Sequence, residues 1–258
     1  MIQRKSRILV AAFVLVALAA VAGVAVAEEA REPFTYVAEW TIARDQWSGY
    51  AEWIAKNHKP VLDRLAADGT LVDWGIYETY VHTEGENTHG IWWTATSFAG
   101  IEKARVELLK VPMHPAAAAG AHHDYLLRAI EGKSRSATVA GGFLTVNTNE
   151  VRAGHEKEWK DSFDTYYKPV LDELVAKGTL VSWALHAEDI HTGPRGLRFL
   201  VSLSPSAAAE DEIEAAFTAA DAKRGEAQGQ LLRNLAREST VMESHRDYLA
   251  RVSAGWSK

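Results

Sequence analysis

The chain repeats itself. Lys59-Pro60-Val61-Leu62-Asp63 returns 109 residues later as Lys168-Pro169-Val170-Leu171-Asp172. At the same offset Gly69-Thr70-Leu71-Val72 returns as Gly178-Thr179-Leu180-Val181, Trp74 as Trp183, and His82-Thr83 as His191-Thr192. Across residues 59–83, 14 of 25 positions are identical to their partners. A second echo ends each copy: His122-x-Asp124-Tyr125-Leu126-x-Arg128 against His245-x-Asp247-Tyr248-Leu249-x-Arg251. The offset there is 123, so the second copy carries an insertion before this point. Two long copies exclude a solenoid, whose repeats are shorter and more numerous. The copies are read as two domain-sized units, residues 34–132 and 138–253. A short polar connection (133–137) joins them, and tails (28–33 and 254–258) flank them.

Each copy reads as alternating strands and helices. Phe34 to Ile42 alternates and is rich in aromatic and β-branched residues, which predicts a strand. Asp45 is placed to cap a helix whose apolar positions, Trp47, Tyr50, Ile54, His58 and Leu65, fall on one face. Pro60 lies inside that helix and is expected to kink it or split it near Asn57, because proline lacks the N–H donor and collides with the preceding turn. Pro169 predicts the same break in the second copy. Thr70 to Thr83 reads as a long strand with Trp74 on one face and Leu71, Asp73, Gly75 and Tyr77 on the other. Gly90 to Phe98 pairs back, and Ile101 to Leu109 is a second helix. The second copy repeats the order, ending in a helical region from Ala207 to about Glu238. The terminal echo, Asp124–Ile130 and Asp247–Val252, is ambiguous alone. Read as a strand, it completes β-α-β-β-α-β, the ferredoxin-like unit.

The predicted fold class is therefore α+β: two tandem ferredoxin-like repeats. Two helices cover one face of each sheet, and the other face must be buried. Packing sheet to sheet as one α/β barrel buries both. The Trp74 and Trp183 face, being bulkier, is expected under the helices. Gly75 and Tyr77, and their counterparts Ala184 and His186, are expected to face inward.

The first 27 residues read as an address. Arg4, Lys5 and Arg7 precede the uncharged apolar run Ile8–Val26, which ends in Ala25-Val26-Ala27. This is the pattern of a secretory signal peptide, with an uncleaved anchor as the alternative. No later segment is long and apolar enough to span a bilayer. Cleavage would leave 25 basic and 34 acidic side chains. An acidic chain without a basic cluster argues against nucleic acid and against anionic membrane as partners. The chain has no cysteine, which excludes disulfides, thiolate metal sites and cysteine nucleophiles. An exported chain without disulfides fits a bacterial periplasm or exterior.

The Lys-Pro-Val-Leu-Asp…Gly-Thr-Leu-Val-x-Trp signature and the β-α-β-β-α-β order, in both copies, resemble the dimeric α/β-barrel superfamily. That group includes antibiotic-biosynthesis-type monooxygenases, EthD-like and NIPSNAP-like proteins, chlorite dismutases and dye-decolorising peroxidases. The resemblance covers nearly all of the mature chain and implies a barrel of two facing sheets, usually built from two subunits. Here a monomer with an intramolecular barrel and a homodimer are both open. The fold hosts many chemistries, so the resemblance is specific for fold and weak for activity. Its haem-binding members supply a proximal histidine from a helix. No matching motif is present, so no ligand residue is carried over and no cofactor is predicted, with haem kept as an alternative.

Several side chains are candidates for chemistry. Tyr77 and His186 occupy matched inward positions and form asymmetric pocket walls, or a satisfied polar core. His82 and His191 end long strands, where they line a barrel mouth or cap their hairpins. Trp92 and Trp93 are adjacent and point to opposite faces; Trp93 is named as the pocket candidate. His122 with Asp124, and His245 with Asp247, share a strand face, where the carboxylate could orient the imidazole or form a surface pair. His58, on the apolar helix face, is the histidine considered for haem. No spacing fits a metal. Aromatic walls suit a small apolar or aromatic ligand in the inter-sheet cavity, with cofactor-free oxygenase-like chemistry as one outcome. A haem enzyme or carrier, and a non-catalytic structural protein, are the alternatives. The sequence names no substrate.

Overall fold

The computed structural model describes residues 32–82 and 85–258. The export signal read over residues 1–27 lies outside them. Among the described residues, nine strands form one antiparallel sheet: β1 (Phe34–Trp40), β2 (Asp73–Thr79), β3 (His89–Ala95), β4 (His122–Ser134), β5 (Ala137–Val139), β6 (Gly142–Glu150), β7 (Ser182–Glu188), β8 (Leu197–Ser204) and β9 (Arg246–Ser257). The order is β2-β3-β1-β4-β7-β8-β6-β9, and β9 pairs back onto β2. Eight strands therefore close into a ring, with β5 attached to the end of β9. Closure removes the free edges that an open sheet leaves unpaired.

Each half contains the predicted β-α-β-β-α-β unit, and the terminal echo is a strand in both. Two seams join the halves. In one, β4 runs antiparallel to β7; in the other, β2 runs antiparallel to β9. The two copies thus pair with each other within one chain. Lys133 and Ser134, part of the polar connection, do not merely connect: they extend β4 and pair with Trp183 and Ser182.

The helices lie outside the ring. Trp47–Asn57 (α1) and Lys59–Ala67 (α2) are separate, broken at His58, with Pro60 in the first turn of α2. Proline is tolerated there because the first-turn N–H groups have no helical acceptor. Glu156–Tyr166 (α5) and Lys168–Lys177 (α6) show the same break before Pro169. The other helices are Phe98–Leu108 (α3), Pro115–Ala119 (α4) and Ala207–Ser239 (α7), which kinks at Gly225. Ser97 and Ser206 cap α3 and α7 by accepting the backbone N–H groups of Gly100 and Ala209. Asp45 does not cap α1. A short 3₁₀ turn at Arg44–Gln46 intervenes, held by the Trp47 indole N–H, which donates to the Ile42 carbonyl at 2.8 Å.

Two apolar cores fill the space between ring and helices. Trp74 packs with Ile54, Leu62, Leu65 and Ile101 in one, and Trp183 packs with Phe163, Leu171 and Leu174 in the other. The tryptophans point to the helix side, as the alternation predicts. A third cluster, including Tyr77, Trp92, Val181, Leu203 and Val252, belongs to the interior of the ring.

Candidate active site

The ring encloses a cavity of about 1030 Å³. Alternation along each strand decides its wall. Thr35, Val37 and Glu39 face in from β1, Asp73 and Tyr77 from β2, Trp92 and Thr94 from β3. Tyr125 and Leu127 come from β4, Val146 from β6, His186 from β7, Phe199 and Val201 from β8, and Tyr248 from β9. Among the described residues, no helix contributes to this wall. Two glycines make room for the largest rings. A Cβ on Gly75 would lie 1.9 Å from the Trp92 indole, and one on Gly90 would lie 2.3 Å from the Tyr77 ring.

At one end a carboxyl group stands among tyrosines. Glu39 Oε1 accepts the Tyr77 hydroxyl at 2.6 Å, and Oε2 accepts the Asn87 amide at 2.7 Å. Burial pushes the Glu39 carboxyl above its ordinary range, opposed by these two hydrogen bonds and by His123. The Tyr77 hydroxyl is pushed well up by burial and by the Glu39 charge, and Tyr125 is pushed up to about 12 for the same reasons. Tyr248 shares a 2.7 Å hydrogen bond with Thr79 Oγ1, and its ring meets Tyr77 edge to face with centroids 6.0 Å apart. The Tyr125 ring meets Phe199 at 5.8 Å.

A second carboxyl group, Asp73, accepts the Trp92 indole N–H and a hydrogen bond from Ser257; burial pushes it up to about 6. His186 lies between the halves, with Nε2 3.4 Å from Thr35 Oγ1, itself 2.9 Å from Thr94 Oγ1. Burial holds the imidazole down to about 4, so it is neutral at physiological pH.

The residues singled out in the sequence are distributed unevenly. Tyr77 and His186 line the cavity. Trp93 does not: it is buried on the helix side, stacked on Tyr36 with centroids 4.6 Å apart, and its neighbour Trp92 faces the cavity. His82 and His191 are exposed and outside the wall, because β2 and β7 end at Thr79 and Glu188, short of both. The second hairpin is instead fastened by Glu188, which accepts the Thr192 hydroxyl at 2.7 Å and the Thr192 and Gly193 N–H groups. His122 and Asp247 reach the cavity rim. His122 Nε2 is 3.1 Å from Asp124, and His245 Nε2 is 3.3 Å from Asp247. All four are partly or fully exposed, where such pairs contribute little.

Haem is not matched by these residues. His58 sits at the break between α1 and α2, buried edge-on to Trp53 at 4.8 Å, and does not line the cavity. The histidines of the wall, His122, His123 and His186, stand on strands, whereas the resemblance implies a helix-borne ligand.

Glu39, Asp73, Trp92, His123, Tyr125 and Tyr248 were not named as site residues from the sequence. Tyr125 and Tyr248 carried a signal in the terminal echo. Asp73 carried one through its shared face with Tyr77. Glu39 carried only its alternation with Thr35 and Val37.

No protein-family model matches the chain, and no curated protein matches it in sequence. Solved structures do match its fold. A candidate monooxygenase from Fusobacterium nucleatum subsp. nucleatum superposes with a TM-score of 0.60 at 8% identity, over 88% of this chain and 95% of that one. An anthrone oxidase-like protein gives 0.53 at 10% identity, over 88% and 93%. A mutant chlorite dismutase from Candidatus Nitrospira defluvii, in complex with cyanide, gives 0.51 at 8% identity, over 86% and 91%. The fold shared with these structures is a closed antiparallel barrel of two ferredoxin-like halves. In this chain one polypeptide supplies both halves of the barrel.

Proposed function

We propose that the protein is exported, that its barrel is a reaction chamber for a small flat aromatic molecule, and that Glu39 is the base that takes a proton from it. One observation carries the reading: a half-buried carboxyl group, held by the Tyr77 hydroxyl and Asn87, stands inside a large cavity walled by tyrosine, tryptophan and phenylalanine. A base in such a site meets its substrate with little competing water. The likeness to a candidate monooxygenase and to an anthrone oxidase-like protein supports an oxygenase.

The chemistry that fits is oxidation of an acidic ring CH₂ by dioxygen without a resident cofactor. The Glu39 carboxylate takes one proton, and the delocalised carbanion gives its electrons to dioxygen. The CH₂ becomes C=O, with one oxygen atom retained and the other leaving as water with the two hydrogens. Tyr77 orients Glu39 through its hydrogen bond, and Trp92 and Phe199 provide faces for the rings.

Anthrone in aerated buffer provides the test, with anthraquinone formation followed by absorbance. The expected result is turnover above the buffer rate, with kcat lowered about 10²- to 10⁴-fold in Glu39→Gln. The rate should rise with pH through an inflection above the ordinary carboxylate range, because burial raises Glu39 and only its ionised form is a base. Burial sets that inflection, and the Tyr77 and Asn87 hydrogen bonds and the facing His123 pull it down. Equal rates for wild type and Glu39→Gln would remove Glu39 as the base.

A further inference from the structure

Glu39 and Tyr77 leave another carboxyl group of the cavity wall unused, that of Asp73. Asp73 is in the wall, its polar partners are the Trp92 indole and Ser257, and among the described residues it has no ion-pair partner. The basic side chains Lys133, Arg246 and Lys258 border the cavity only as exposed groups. A half-buried carboxylate without a cation is costly, and burial accordingly raises this one.

The fold does not require it. The matched position in the second copy is Ser182, and the matched partner of Trp92 is Val201. Asp73 lies opposite Thr94 and Ser257, and Ser182 opposite Leu203 and Ser134, so the ring closes equally around either residue. The acid and the indole therefore occur together, in one copy, at one place. An indole face beside an uncompensated carboxylate is the complement of an organic cation.

We propose that Asp73 and Trp92 bind a positively charged group, a protonated amine, at the end of the ligand remote from Glu39. The inference rests on reading the barrel as a chamber for aromatic ligands and adds the ligand's charge. Asp73 and Tyr77 are four residues apart on β2, about 13 Å along the strand. The rings of Tyr77 and Trp92, 5.8 Å apart, line the wall between them. That span suits about three fused rings carrying an amine at one end.

Three probes that differ in charge decide it: 2-(aminomethyl)anthracene, 2-(hydroxymethyl)anthracene and anthracene-2-carboxylate, titrated into the protein by calorimetry at neutral pH. The amine should bind at least about tenfold tighter than the alcohol, and the carboxylate weakest. In Asp73→Asn the amine-to-alcohol ratio should fall to near one. Asp73→Ser, which copies Ser182, is the second variant should Asp73→Asn melt early. Equal affinity for amine and alcohol in the wild type, or a preference that survives both variants, overturns the amine site while leaving the aromatic chamber standing. No binding of any probe removes the chamber itself, and the amine site with it.

Discussion

Acidification from pH 6.5 to 4 is expected to unfold the barrel cooperatively. Three histidines are buried in the neutral form: His58 against Trp53, His89 between Trp47 and Tyr50, and His186 inside the ring. Burial lowers each from 6.5 to about 4. Between those values the unfolded chain takes up protons that the folded chain refuses, so stability is full above pH 6.5 and falls with pH. Each shift corresponds to about 3 kcal/mol. Asp73 acts in the opposite sense. Its raised pKa, about 6 against 3.8, makes the folded state favour the proton, returning up to about 3 kcal/mol as the pH falls through that window. Glu39 works in the same direction as Asp73. The three histidines together outweigh Asp73 by several kcal/mol, a margin that Glu39 narrows and that is comparable to the whole stability of many domains. Urea midpoints measured from pH 7.5 to 4 should fall with a net uptake of more than one proton. A midpoint that does not move between pH 7 and 5 would show that the three rings reach water. His89→Gln should flatten the slope by about one proton.

Gly75→Ala should destabilise the protein by about 2–3 kcal/mol, and most of that loss should vanish when Trp92 is also replaced by valine. The Trp92 ring lies over Gly75 so closely that a methyl group would sit 1.9 Å from it. The indole cannot slide aside freely, because its N–H is held by Asp73. It must swing into the cavity, giving up that hydrogen bond and its packing. The second copy contains the relaxed solution: Ala184 pairs with Val201 where Gly75 pairs with Trp92. The double variant Gly75→Ala/Trp92→Val therefore installs in one half what the other half already folds with. Urea unfolding of the four proteins of the cycle gives the coupling. The same cost for Gly75→Ala in both backgrounds would place the ring elsewhere. Trp92→Val alone should cost stability through the space it empties.

The duplication made the topology legible. Once the second copy repeats the first, a pattern that is ambiguous once, such as the terminal echo, has to satisfy two contexts. The proline breaks and the inward position of Tyr77 follow from local rules of helix and strand. The site was less legible for three physical reasons. Glu39 is matched by Thr148, so repetition carries no signal for it. The phase of β3 depends on where the strand starts, and adjacent tryptophans give both phases equal weight, which is why Trp93 stood in for Trp92. The identity of His82 and His191 marked a shared hairpin, and the strands end before reaching either ring.

The seam between β2 and β9 joins residues 73–79 to residues 250–257. Strand β9, the last in chain order among the described residues, thus closes the ring against one of the first. Until it arrives, β2 presents an unpaired edge and the inner wall of the first half is open to water. Contacts of such sequence separation form slowly, because loop-closure entropy precedes the reward. The late-arriving segment Arg246–Ser257 is therefore the latch of the molecule, and a chain lacking it would be left with a sticky, half-built sheet rather than a smaller barrel.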